Sequence, residues 1–404
     1  MPLLPPQTGR DAKILLVARA ARAFGDGLGS LLLPVYLDRL GYDATTIGLV
    51  ATVTLLGSAA LVWGVGLSAH RLDLRLTLIA GALLTVGTGL GFAGFTQFWP
   101  LLLVGAIGTL TPTGGDVSIF LPLEQTLLAG AVSDRWRTAL FARYSVVGTV
   151  AASCGALAIG APDLLARWLD VDPLAGLRAA FVLYAALGIV CALLYRRLAR
   201  TEPAQTTRAA AALGPSRGIV YRLAALFAVD SFGGGFFVQS MLALWLFDRF
   251  DLAPAVAGQI FFWMGLASAL SYLAASALSA RIGLINTMVF THIPANLCMV
   301  ALPFVHSLPI AIVLLLMRGA LSQMDVPTRT SYVMAVVTPA ERPAAASVTA
   351  VPRSLAAAVG PVLTGWMLSL SSFGLPLILG GLIKTAYDLG LLAMFRKVKP
   401  PEER

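Results

Sequence analysis

The sequence predicts an all-α polytopic membrane protein, with twelve transmembrane helices in two pseudo-symmetric six-helix bundles. Three observations carry this expectation. The 404 residues are 58% hydrophobic and 12% charged, with a mean hydropathy of +0.83; a soluble domain carries about 25% charged residues. A helix needs about 20 apolar residues to cross the bilayer core, and windows of that width find twelve apolar runs. The second half also repeats the first about 210 residues on. YLDRLGYDATTIG (Tyr36 to Gly48) returns as LFDRFDLAPAVAG (Leu246 to Gly258), and LSAHRLDL (Leu67 to Leu74) returns as ALSARIGL (Ala277 to Leu284). Two matches at one offset, each between long apolar runs, indicate a duplicated bundle.

The first run, 14–37, follows MPLLPPQTGRDAK, which lacks the short apolar run and cleavage site of a signal peptide. It is therefore expected to be both targeting signal and part of the mature chain. Runs 46–69 and 76–95 flank the repeated LSAHRLDL stretch. Run 99–131 is unusually long and is interrupted at Thr111-Pro112-Thr113-Gly114-Gly115, where Pro removes a backbone hydrogen bond and the paired Gly loosen the next turn. Runs 138–160 and 178–195 complete the first bundle, 1–195. The 196–220 segment, which contains TEPAQTTRAAAALGPSRG, reads as a flexible surface linker. The second bundle, 221–404, holds runs 221–247, 254–278, 286–305, 308–337, 342–371 and 373–395, then a short tail.

The net charge of +9 reflects topology. Sorted by alternate loops, eighteen Lys and Arg fall on one side of the membrane, and four (Arg39, Arg167, Arg178 and Arg249) fall on the other. The positive-inside rule then makes both termini and the linker cytoplasmic, in an inner (plasma) membrane. A nucleic-acid footprint is not expected. Cys154, Cys191 and Cys298 all lie within runs and read as small core residues; no metal or cofactor is expected. An intramembrane enzyme is disfavoured too. The only histidines are His70, His292 and His306, and there is no HExxH, Gly-x-Ser-x-Gly or Walker loop.

Twelve runs in two sets of six with a basic linker resemble the major facilitator superfamily. Between the second and third runs, Gly66-Leu67-Ser68-Ala69-His70-Arg71-Leu72-Asp73-Leu74-Arg75 is similar to the family's G-x-x-x-D-R-x-G-R-R/K motif. The leading Gly, the central Arg71 and the final basic residue match. The motif's acid is replaced by His70, which leaves His70 or Asp73 to stand in for it in the gate network the resemblance implies. Arg318-Gly319-Ala320-Leu321-Ser322-Gln323 resembles an R-x-x-x-G motif, and Gly360-Pro361-Val362-Leu363-Thr364-Gly365 resembles half of a Gly-Pro-rich antiporter motif.

A charge at mid-bilayer costs about 2.5–3.5 kcal/mol, so each one needs a partner, a water-filled cavity or a role. Asp116 and Asp325 are related by the repeat, as are Arg143 and Arg353. The expectation is two ion-pair clusters, Asp116/Glu124 with Arg143 and Asp325/Arg329 with Arg353. Direct substrate contact and snorkelling are the other readings of these arginines. The resemblance makes the first and seventh helices cavity-lining, and there Asp26 and Asp230 stand beside glycine clusters. A carboxyl in a low-dielectric cavity can bind and release a proton in one cycle. Asp26 is thus the first candidate for proton coupling, with Asp230 and Glu124 next; a permanent salt bridge to Arg22, one turn back, is the alternative for Asp26. Asp116, Gln239, Arg318, Asp325 and Tyr332 are the candidate substrate contacts. Lys384 and Asp388, four apart on the last run, read as an internal pair or as a polar contact to the tenth helix or to a second protomer.

The resemblance implies a monomeric secondary active transporter that exports a small organic, amphipathic molecule by alternating access in exchange for protons. Uptake of a small organic anion by proton symport, with Arg318 or Arg353 as the clamp, is the alternative. A non-transporting sensor on the same fold is a remote one.

Overall fold

The computed structural model describes residues 9–68, 73–113, 118–130, 134–199, 213–338, 341–396 and 398. His70, Arg71 and Asp116 lie outside the described residues. Ten stretches of described helix are long and apolar enough to cross a membrane. Two predicted spans stand apart from these for physical reasons. α1 (Arg10–Arg39) is long but carries Arg19, Arg22 and Asp26. The fourth span is split into α4 (Phe98–Ile107) and α5 (Phe120–Gly130), with Thr111-Pro112-Thr113 in the gap between them. Together these make the twelve predicted spans.

The chain divides into two compact units. The first comprises Met1–Asp43, Val53–Gln205 and Leu252–Phe262; the second comprises Ala44–Thr52, Thr206–Asp251 and Trp263–Arg404. The first is built mainly from α1, α2 (Ala44–Ser68), α3 (Leu74–Gly94), α4, α5, α6 (Asp134–Leu157), α7 (Ala161–Leu169) and α8 (Pro173–Tyr195). α9 (Arg217–Gly235), α10 (Gln239–Phe250), α11 (Pro254–Ile282) and α12 (Leu284–Ala301) follow. The second unit closes with α13 (Leu308–Ser322), α14 (Asp325–Val336), α15 (Arg342–Leu370) and α16 (Leu375–Phe395). The seventh span bends between α9 and α10, just past Gly233-Gly234-Gly235, and the tenth breaks between α13 and α14 at Gln323-Met324.

Each unit has its own packed interior. Leu15, Leu78, Phe120, Tyr144 and Tyr195 meet in the first. Leu223, Phe227, Met288, Tyr332 and Tyr387 meet in the second. Large apolar side chains such as Trp99, Trp168 and Leu370 point outward. In lipid this costs little, so close packing and interior polar contacts, not apolar burial, hold such helices together.

Close backbone approach sets the key helix pairs. A Cβ at Gly27 would sit 1.9 Å from the carbonyl of Ala152, and one at Gly155 would sit 1.9 Å from that of Phe24. Only glycine lets α1 and α6 meet there. In the second unit Gly235 of α9 and Gly360 of α15 play the same part: a Cβ at Gly360 would fall 2.1 Å from the Gly235 carbonyl carbon. Between α14 and α15, Glu341 accepts hydrogen bonds from the Ser216 hydroxyl (2.7 Å), the Thr338 hydroxyl (2.7 Å) and the N–H groups of Gly214 and Ser216. It thereby ties the start of α9 to this loop. The Ser216 and Thr338 hydroxyls, with the two N–H groups, hold its carboxyl down at about 2.

Candidate functional site: a buried charge cluster in each unit

Backbone contact between α1 and α6 brings Arg22 within reach of the Tyr144 hydroxyl. The Arg22 guanidinium, 5% exposed, donates to Glu124 Oε2 at 2.7 Å, to the Tyr144 hydroxyl at 3.3 Å and to Ser118 Oγ at 3.2 Å. It lies over the Phe120 ring, 4.6 Å from the centroid, and stands 3.8 Å from Asp26 Oδ2 one turn along. Glu124, fully buried, also accepts from the Tyr195 hydroxyl at 2.6 Å and from the Tyr144 hydroxyl. Two carboxyls therefore converge on one guanidinium. Next to it is a small cleft lined by Gly25, Thr85, Phe120, Tyr184 and Cys191. Such an arrangement can trade a proton for the cation's grip on either acid.

The second cluster is centred on an acid. Asp230 of α9, 3% exposed, is held by Arg329 Nη2 at 3.2 Å and by Lys384 Nζ. Arg329 also pairs with Asp325 one turn earlier and lies over the Phe227 ring at 5.1 Å. Further along α16, buried Asp388 accepts from Asn296 at 2.9 Å and hydrogen-bonds His292 Nδ1 at 2.9 Å. Arg353 Nε donates to Ser231 Oγ at 3.3 Å. Arg318 lies over the Phe237 ring at 4.9 Å.

The expected partners are redistributed. Glu124 pairs with Arg22 and not with Arg143, which is half-buried on α6 beside Tyr144. Asp325 and Arg329 pair with each other and with Asp230, while Arg353 reaches a hydroxyl. Lys384 and Asp388 are not the expected internal pair: Lys384 turns to Asp230 and Asp388 to His292. The reason is rotational phase, since residues four apart share a face but fork to different neighbours at its two edges. Asp26 stands next to Arg22, as its salt-bridge reading expected. Asp73 caps α3, accepting from the N–H groups of Arg75 (2.8 Å) and Leu76 (3.3 Å). Tyr332 is buried and its hydroxyl donates to the Val398 carbonyl at 3.0 Å. Gln239 is half-buried at the start of α10.

Sequence reasoning missed Tyr144, Tyr195, His292 and Asn296. A fully buried Glu needs donors, and the tyrosines of the neighbouring spans were the candidates to supply them. His292 and Asn296, four apart in an apolar run, were the signal for a polar stripe on α12.

The family model of the Major Facilitator Superfamily matches residues 223–404. An uncharacterized membrane protein of Saccharomyces cerevisiae is 24% identical over 422 aligned positions, covering 96% of this chain and 94% of the yeast protein. Among solved structures, a bacterial homologue of the human lysosomal transporter Spinster, inward-facing and unoccupied, shares the fold with a TM-score of 0.71. It is 17% identical, with 96% of this chain and 95% of that one covered. The nucleoside transporter NupG gives a TM-score of 0.71 at 16% identity, covering 96% of this chain and 100% of that one. A bacterial homologue of the iron transporter ferroportin, also inward-facing, gives 0.72 at 14%, covering 95% and 98%. The second half of the chain thus matches the Major Facilitator Superfamily model, and the chain as a whole is a multi-pass membrane protein that shares the fold of these transporters along almost its full length.

Proposed function

We propose that this protein is a proton-coupled secondary active transporter that exports a small organic, amphipathic molecule by alternating access. The observation that carries the reading is the meeting of Asp26 and Glu124 on the single guanidinium of Arg22. One added proton neutralises one of the two acids, so protonation changes the internal bonding of α1 and α5. Asp26 is the coupling group, and Glu124 is its competitor for Arg22. The halves 1–195 and 221–404, joined by the 196–220 linker, rock about a site near the midplane. Both termini lie in the cytoplasm, the membrane is the inner (plasma) membrane, and the monomer is the working unit. The membrane potential favours proton entry by about 2.3 kcal/mol per charge per 100 mV. The Gly360-Pro361 sequence on α15, similar to the antiporter motif, supports export.

A second reading rests on Arg318. Among the described residues it lies within ion-pair distance of no carboxylate, and its contact is the face of Phe237. A guanidinium so placed suits a carboxylate or phosphate on the transported molecule, which favours proton-driven uptake of an organic anion. The experiment is to reconstitute the protein in proteoliposomes, screen a chemically mixed panel, and follow labelled compound and internal pH together. Export by exchange predicts that compound and protons move in opposite directions; symport predicts the same direction. No compound moving under any gradient contradicts both and leaves a sensor.

A further inference from the structure

We propose that the His292–Asp388 pair is a proton-binding site of the second unit, and that its occupancy decides which carboxylate Lys384 serves. The site is buried: His292 is 3% exposed and Asp388 is fully enclosed. Asp388 Oδ1 meets His292 Nδ1 at 2.9 Å, and its Oδ2 accepts from Asn296 Nδ2 at 2.9 Å. α12 and α16 thus present three buried polar side chains to one another.

Charge accounting gives the pair its role. In direct contact, Arg329 and Lys384 balance Asp230 and Asp325. Asp388 is one further carboxyl, and its only ion-pair partner among the described residues is a group that can be charged or neutral. A buried carboxylate without a charged partner is costly, so one proton shared by His292 and Asp388 spares Asp388 that state while Lys384 serves Asp230. The other charged and titratable groups facing the region are Tyr387 on α16, Arg353 on α15, Arg318 on α13 and Cys298 on α12. Arg353 donates to Ser231 and Arg318 lies over Phe237; among the described residues neither is within ion-pair distance of Asp388.

Loss of that proton leaves Asp388 anionic, with neutral donors alone. Lys384 is four residues earlier on the same helix, within reach on a flexible stem. Moving to Asp388, it would leave Asp230 to Arg329. Protonation of a pair on α12 and α16 therefore sets how tightly α9 is tied to α16 through Asp230. The inference does not depend on Asp26, which belongs to the other unit.

The chain has three histidines, so ring nitrogen-15 spectra of the full-length protein in nanodiscs can be assigned by the signal lost in His292→Gln. We expect the His292 ring to change protonation state between about pH 5 and about pH 9. Lys384→Met removes the competing cation and should move the midpoint up by about one pH unit or more. Asp388→Asn removes the anion that favours the imidazolium and should move it down by a similar amount. A purely structural hydrogen bond that holds the ring in one protonation state would show no midpoint to move. Where Asp388→Asn fails to fold, Lys384→Met alone decides the matter. A ring that stays in one protonation state throughout overturns the site, and a midpoint unmoved by Lys384→Met overturns the competition. The transition should persist in Asp26→Asn; its disappearance there would overturn the independence of the two sites.

Discussion

The two units solve the same problem with opposite signs. In the first, a cation on the opening helix of the repeat, Arg22 of α1, gathers an acid from the far half of the broken fourth span, Glu124 of α5. In the second, an acid on the opening helix, Asp230 of α9, gathers a cation from the far half of the broken tenth span, Arg329 of α14. The location of the polar cluster is shared, and the polarity is exchanged. Coulomb attraction is indifferent to which helix carries which sign, so each half can drift while its net charge stays low. What differs is what remains beyond the central pair. The first unit closes with phenols, Tyr144 and Tyr195, and a second acid, Asp26; the second closes with Lys384 and the His292–Asp388 pair.

That contrast ranks the substitutions. Arg22→Ala should do most, because it removes the guanidinium that Glu124 and Asp26 share. The expected loss is about 3–5 kcal/mol in thermal unfolding of the detergent-purified protein. If Arg22→Ala and Glu124→Gln together are no better than Arg22→Ala alone, the cluster is not the unit described here. Asp230→Asn should fall at the lower end of the same range of about 3–5 kcal/mol, since Asp325 still serves Arg329. Adding Lys384→Met should recover much of that loss, and a further loss would contradict the pairing. Tyr195→Phe removes one donor from a buried carboxylate and should cost about 1–3 kcal/mol.

The smallest effect is expected outside the membrane, at Glu341→Gln. The folded carboxyl, at about 2, lies below its ordinary value of 4.5. Its contribution is therefore complete above that ordinary value and is lost as pH falls toward the folded one. Wild type and Glu341→Gln should differ by a constant amount from about pH 5 to about pH 8 and converge in acid. Limited proteolysis near Arg217 would report the loosened tie. A difference that instead grows as the pH falls would contradict it.

Much of the fold was legible in the sequence because a bilayer demands it. Span length, the repeat and the Thr111-Pro112-Thr113 interruption are all one-dimensional signals with direct structural consequences. The close approaches at Gly27 and Gly235 were legible only as glycine clusters. The partners were not. Whether Glu124 meets Arg22 or Arg143 depends on helix rotation and on sub-turn differences in depth, and a single chain records neither. Lys384 shows the limit well: its spacing to Asp388 suggested an internal pair, and the packing of α16 against α9 handed it to Asp230.

The central claim is proton coupling through the first unit, and Asp26→Asn against Asp230→Asn in proteoliposomes tests it most directly. With a transported compound in hand, wild type should discharge an imposed pH gradient as the compound moves. Asp26→Asn should still exchange compound across the membrane without moving protons, and Asp230→Asn, where it folds, should remain coupled. Normal proton movement in Asp26→Asn, or wild-type transport with no proton movement at all, would contradict the account.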